Sequence, residues 1–90
     1  REHAADLAMA VSIVSSLRNL GLPRDTAFIG EVGLSGEIRH VTQLSRRISE
    51  CEKMGIRRVF VPKTSLERGA SYGIQVEGMN TLSDVLARAF

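Results

Sequence analysis

The segment Arg58-Val59-Phe60-Val61-Pro62 constrains this 90-residue chain more than any other. Its apolar core is uninterrupted and a proline closes it. Such a run suits a strand buried on both faces, and both faces then need cover. Two segments with helical spacing can provide it. Residues from about Ala4 to Leu20 carry Leu7, Ala10, Val11, Val14 and Leu17 on one stripe. Asp6 lies near the start of that helix, where it complements the dipole, and Gly21 and Pro23 read as its end. A second helix is expected from Thr42 or Gln43 to Met54, with Leu44, Ile48, Cys51 and Met54 inward, Thr42 as N-cap and Gly55 as the stop.

Between these helices, residues 26–32 read as one strand and residues 33–36 as a turn. Residues 37–41 form the returning strand of a hairpin. Beyond Pro62, residues 64–70 read as a loop or short helix and residues 73–78 as a strand. Thr81 caps a closing helix whose inner face is Leu82, Val85, Leu86 and Ala89. The order α-β-β-α-β-β-α predicts an α/β domain with helices layered on a sheet. A hydrophobic fraction of 43% suits such a core, and ninety residues allow one domain at most. The chain begins within a turn of a long helix, which reads as a domain incomplete at its N-terminus. No apolar run approaches the roughly 20 residues that span a bilayer, so no membrane partner is expected.

Most chemistry-bearing residues have ordinary explanations. Gly30, Gly33 and Gly36 are spaced as hairpin glycines and match neither phosphate-loop fingerprint. Ser35 fails as a nucleophile elbow, because Glu37 stands where the second glycine belongs. His3 and His40 lack a metal-ligand or carboxylate partner at suitable spacing. Cys51 lies on an apolar stripe and reads as a small buried hydrophobe. One cysteine allows neither an internal disulfide nor a multi-cysteine zinc site. No cofactor, metal or catalytic residue is expected.

Charge is the informative feature. Net charge is only +2, yet residues 39–63 hold seven Lys/Arg against Glu50 and Glu52, so this stretch is +5 and the remainder −3. Clustered cations displace counterions from a nucleic-acid backbone. A solvated face with Arg46–Glu50 as an i,i+4 neighbour pair explains the same residues equally well. Aromatics make up 4% of the chain, which argues against base stacking on single strands.

Several blocks carry a family resemblance. Residues 28–39, Phe-Ile-Gly-Glu-Val-Gly-Leu-Ser-Gly-Glu-Ile-Arg, look like the GE(V/I)xLxGxI hairpin of Lon proteolytic domains. Residues 55–63, Gly-Ile-Arg-Arg-Val-Phe-Val-Pro-Lys, resemble the GI…V.(I/V)PK strand that follows it. The opening Ala4-Ala5-Asp6-Leu7-Ala8-Met9-Ala10 is similar to the PAADLA.A start of the equivalent helix in RadA/Sms proteins, and Thr81 to Phe90 looks like their closing helix. The resemblance covers almost the whole chain. It implies the C-terminal part of a Lon-protease-like domain, with the ribosomal S5 domain 2-like fold.

It also implies that catalysis is lost. Active Lon enzymes use a serine–lysine dyad. The serine of their Gly-Pro-Ser-Ala-Gly segment falls on Ala4, and the lysine of GGLKEK falls on Ser45. A methyl group cannot attack a carbonyl, and a hydroxyl cannot replace the amine as base. RadA-type proteins join this domain to a zinc finger and an ATPase, assemble as hexamers and act on DNA. The resemblance therefore implies a non-catalytic module for self-association and DNA contact, with Arg39, Arg46, Arg47 and Lys63 as the contact residues and Arg57 and Arg58 next. Any ATPase chemistry would lie outside these residues. A diverged peptidase and a self-association module without DNA contact are the alternatives. A bacterial cytoplasm and an organelle interior both fit as the compartment.

Overall fold

The computed structural model describes residues 4–90. Strand β1 (Ala5–Asp6) leads directly into helix α1 (Leu7–Leu17), and β2 (Thr26–Phe28), β3 (Glu31–Val32) and β4 (Ile38–Arg39) follow. Helix α2 (Leu44–Lys53) precedes β5 (Arg58–Pro62) and a 3₁₀ turn at Lys63–Ser65. Then come β6 (Gln75–Met79) and α3 (Leu82–Ala89). The expected α/β order holds, with differences at several boundaries.

The largest difference is in the segment 26–32, expected as one strand. Its first half, β2, pairs in parallel with β5, with Phe28 opposite Phe60. Its second half, β3, pairs antiparallel with β1 and β4, so the expected hairpin is present but belongs to a second sheet. Gly30 makes the break, at φ +137°, where an L-residue is strained. A Cβ there would come within 3.1 Å of Ile38 Cγ2 and 3.2 Å of Pro62 Cγ.

The parallel sheet has the order β2-β5-β6, which places β5 in its centre. Side chains alternate across that strand. Phe60 joins Leu7, Val11, Val32, Ile38 and Val85 in a core beneath α1 and α3. Val59 and Val61 join Leu44 and Ile48 of α2 in a second core. Both faces of β5 are thus covered, as its composition requires. Phe28 stacks on Phe60 with centroids 5.3 Å apart and rings within 6° of parallel.

The helix ends follow side-chain chemistry more than glycine position. Asp6 caps α1 by accepting from the Met9 amide at 3.0 Å. The helix stops at Leu17, three residues earlier than expected. Asn19 turns left-handed (φ 55°), the Leu20 amide bonds back to the Ser15 carbonyl, and the Ser15 hydroxyl donates to the Leu20 carbonyl. Gly21 plays no part in that stop. At α2 the N-cap is Gln43 in the left-handed region, with no side-chain bond to the helix, and not the expected Thr42. Gly55 ends α2 as expected, at φ +86°. Thr81 caps α3 through the Asp84 amide at 3.1 Å.

Replacing Gly30 by alanine combines backbone strain with contact against two core side chains. Gly30→Ala is expected to destabilise the fold by about 1–3 kcal/mol, read as a lower urea midpoint with an unchanged slope.

Candidate nucleic-acid interface

The structure divides the cationic residues anticipated from the sequence into three groups. Arg46 and Arg47 are exposed in the first turn of α2. Cations there oppose the helix dipole, and no side chain caps the end. This corner therefore brings two cations together at the start of α2. The Arg47 Nε donates to the Thr42 carbonyl at 3.0 Å, which fixes the guanidinium against the turn that leads into α2. Arg47 lines a cleft of about 400 Å³ shared with His40, Thr42, Asp6 and Glu31.

Arg39 is half-buried on β4. It stands opposite Glu31 in the hairpin register, and its Nε lies 3.7 Å from Glu37 Oε2. Lys63 lies elsewhere, exposed at the 3₁₀ turn, on a cavity of about 360 Å³ lined also by Asn80, Asp84 and Arg88. The four residues anticipated as a single surface thus line no common pocket.

Arg57 and Arg58 part company despite being neighbours. Arg57 is exposed, with its backbone amide bonded to the Asp25 carbonyl at 2.8 Å. Arg58 is committed internally. Its Nε lies 2.6 Å from Glu77 Oε2, an Nη donates to the Arg88 carbonyl at 3.1 Å, and its guanidinium sits 4.6 Å over the Phe60 ring. Arg88 Nε holds the other carboxylate oxygen of Glu77 at 2.7 Å, and the Gln75 amide adds a bond at 3.1 Å. Burial alone would raise the Glu77 carboxyl, but the hydrogen bonds and charges of Arg88 and Arg58 outweigh it and hold the group below its ordinary range. Arg58 therefore has a structural role, its guanidinium bonded to Glu77 and to the Arg88 carbonyl.

Ala4 and Ser45, the positions on which the resemblance would place a dyad, line different cavities. Ala4 lines an apolar cavity of about 450 Å³ with Val32, Leu34 and Leu82. Ser45 lines another, of about 430 Å³, with His40, Thr64 and Glu67. Ser35 is exposed on the hairpin turn, its amide bonded to Glu37 Oε1 at 3.1 Å. Cys51 is half-buried on the inner stripe of α2, and burial first, then the Glu50 charge, push its thiol up. His3 lies outside the described residues. Among the described residues no group of His, Cys, Asp and Glu is arranged to hold a metal ion, and no helix is long and apolar enough to cross a membrane.

One arrangement was invisible in the sequence. The Ser65 hydroxyl lies 3.2 Å from His40 Nδ1 and accepts the Val41 amide at 2.9 Å. The partners are 25 residues apart, and no local pattern links them.

The exposed cations of this small α/β scaffold mark candidate contacts, and sequence relationships place the chain further. It belongs to the family described as subunit ChlI of Mg-chelatase, whose model matches residues 3–65. Across nearly its whole length the chain is similar to proteins named DNA repair protein RadA. The one from Escherichia coli (strain K12) is 48% identical over 86 residues, 96% of this chain and 19% of that protein. One from Streptococcus pyogenes is 44% identical over 90 residues, 99% of this chain and 20% of that protein. One from Streptococcus pneumoniae is 43% identical over 91 residues, 99% and 21%. The resemblance to RadA/Sms proteins carried by the sequence blocks is thereby shown. The chain spans about a fifth of the length of these relatives.

The Glu77 cluster yields a stability test. Glu77→Ala leaves Arg58 and Arg88 uncompensated and is expected to cost about 1–3 kcal/mol, less than for a deep ion pair because Arg88 stays largely exposed. A depressed carboxyl stabilises the fold above its unfolded value and loses that contribution as pH falls through the folded one. Urea midpoints of wild type and variant should therefore converge as pH drops below about 4.3, the ordinary glutamate value.

Proposed function

We propose that this chain is a non-catalytic, Lon-like module for self-association and DNA contact within a RadA-like DNA-repair ATPase. The observation that carries the reading is the 43–48% identity to proteins named DNA repair protein RadA over nearly the entire chain. The Lon-like assignment rests on the hairpin and Pro-Lys strand motifs, which occupy β3–β4 and β5. On that assignment the nucleophile and base positions hold Ala4 and Ser45. These two side chains cannot perform acyl transfer, and they line different cavities. ATP hydrolysis would belong to residues beyond this chain.

The DNA-contacting surface is assigned to Arg46 and Arg47 at the uncapped start of α2, with Arg39 on the hairpin and Lys63 at the 3₁₀ turn as separate contacts. For self-association, α1 supports the reading. Its residues Leu7–Leu17 include no charged side chain, and its outer positions Met9, Ile13 and Leu17 are 63%, 54% and 81% exposed. Contiguous exposed apolar patches mark interaction surfaces.

Binding of the full-length protein to duplex DNA should weaken linearly in log–log terms with salt. Arg46→Ala and Arg47→Ala should each reduce that slope by about 1. Absence of binding at low salt, or slopes unmoved by both substitutions, would refute the DNA assignment. Light scattering of the same protein should give a discrete hexamer, and Ile13→Asp should lower the mass. A monomeric wild type would remove the self-association role.

A further inference from the structure

We infer that His40 is an additional phosphate-contacting residue, held by Ser65 in the tautomer that presents its Nε2–H to the cleft lined by Arg47. This rests on the DNA-contacting reading above and names a ligand group within it, a non-bridging oxygen of the nucleic-acid backbone. The argument starts at Ser65, which is only 7% exposed. Its hydroxyl oxygen already accepts the Val41 amide at 2.9 Å. Its own proton needs an acceptor, and His40 Nδ1 lies at 3.2 Å. The opposite arrangement, with Nδ1–H donating, would load the oxygen with two donors and strand a buried hydroxyl proton, which costs about 1–3 kcal/mol. The neutral ring therefore carries its proton on Nε2.

His40 is exposed and lines both the cleft of Arg47 and Thr42 and the adjoining cavity of Ser45 and Thr64. With Nδ1 occupied on the Ser65 side, the Nε2–H is the donor left for an outside acceptor. Arg47 is prepared in the same way, since its Nε is used on the Thr42 carbonyl and its terminal nitrogens are not. The cleft also carries two acids, Asp6 and Glu31. Asp6 caps α1, and Glu31 pairs across the hairpin with Arg39. A neutral donor and a cation, each with one end anchored to the protein, form a preorganised phosphate clamp.

The two contributions separate by their salt dependence, since only the cation releases a counterion. The test is affinity of the full-length protein for a fluorescently labelled mixed-sequence duplex, over a salt series at one fixed pH. His40→Ala should weaken binding about 5–20-fold without changing the salt slope. His40→Gln, whose amide N–H can occupy the Nε2 position, should retain most of the affinity, while Arg47→Ala should lower affinity and slope together. Unchanged affinity in His40→Ala, with Arg47→Ala still impaired, would overturn the role of His40 and leave the DNA reading intact. Equal losses in the alanine and glutamine variants would overturn it as well. Failure of the wild type to bind at low salt would remove the DNA reading itself, and this inference with it.

Discussion

Both halves of this fold meet on β5. Its central position in the parallel sheet gives it hydrogen-bonding neighbours on both edges, so no backbone group of the strand has to face solvent at the core. Its alternation then divides the packing. Phe60 belongs to the core under α1 and α3, and Val59 and Val61 to the core under α2. A polar residue at any of these three positions would therefore damage a whole layer, while most other positions in the chain affect only one helix. The stacking of Phe28 on Phe60 ties the shorter β2 to this strand. The kink at Gly30 lets the chain leave that pairing at once and start the hairpin, which closes the first core through Val32 and Ile38.

The charges follow from the same geometry. Arg58 begins β5 and Glu77 lies in β6, opposite Phe60 in the parallel register. The sheet thus delivers an arginine and a carboxylate to one edge, and α3 adds Arg88 from above. Arg58 covers the Phe60 ring while it pairs with Glu77, so one side chain serves packing and charge together. Arg57, one residue earlier and still outside the strand, has no such partner among the bonds described for it. A count of positive charge along the chain treats the two as equivalent. Strand alternation makes one of them part of the fold.

That contrast shows what could be read from the sequence. The layered α/β class, the hairpin, the buried strand and the Thr81 cap were legible, because each is signalled by residues close together in the chain. The RadA resemblance was legible for the same reason, as contiguous blocks; membership in the ChlI family was not anticipated. The split of residues 26–32 was hidden, because Gly30 also suits a hairpin and nothing local reveals that Pro62 and Ile38 crowd it. The stop of α1 at Asn19, ahead of the more conspicuous Gly21, depends on the Ser15 hydroxyl reaching the Leu20 carbonyl. The candidate interface was legible only as composition. Seven cations in 25 residues signalled something, but helix phase and strand register decided that Arg46 and Arg47 share a corner, that Lys63 lies on another cavity, and that Arg58 is bonded to Glu77.

The proposed surface is small for a nucleic-acid interface. A single chain offers a few cations at one corner, and each phosphate contact contributes modestly and fades with salt. Such a surface becomes effective through repetition, because joining copies turns later contacts into intramolecular ones with a high effective concentration. The uncharged outer face of α1 is the feature that would bring copies together, since Met9, Ile13 and Leu17 gain more from a neighbouring chain than from water. The two proposed roles then depend on each other. Self-association without the α2 corner gives a scaffold with little hold on DNA. The corner without self-association gives contacts too weak at physiological salt to position a repair enzyme. On the proposed Lon-like reading, Ala4 and Ser45 at the dyad positions would fit this division, since a scaffold for DNA would need the shape of that domain but not its acyl-transfer chemistry.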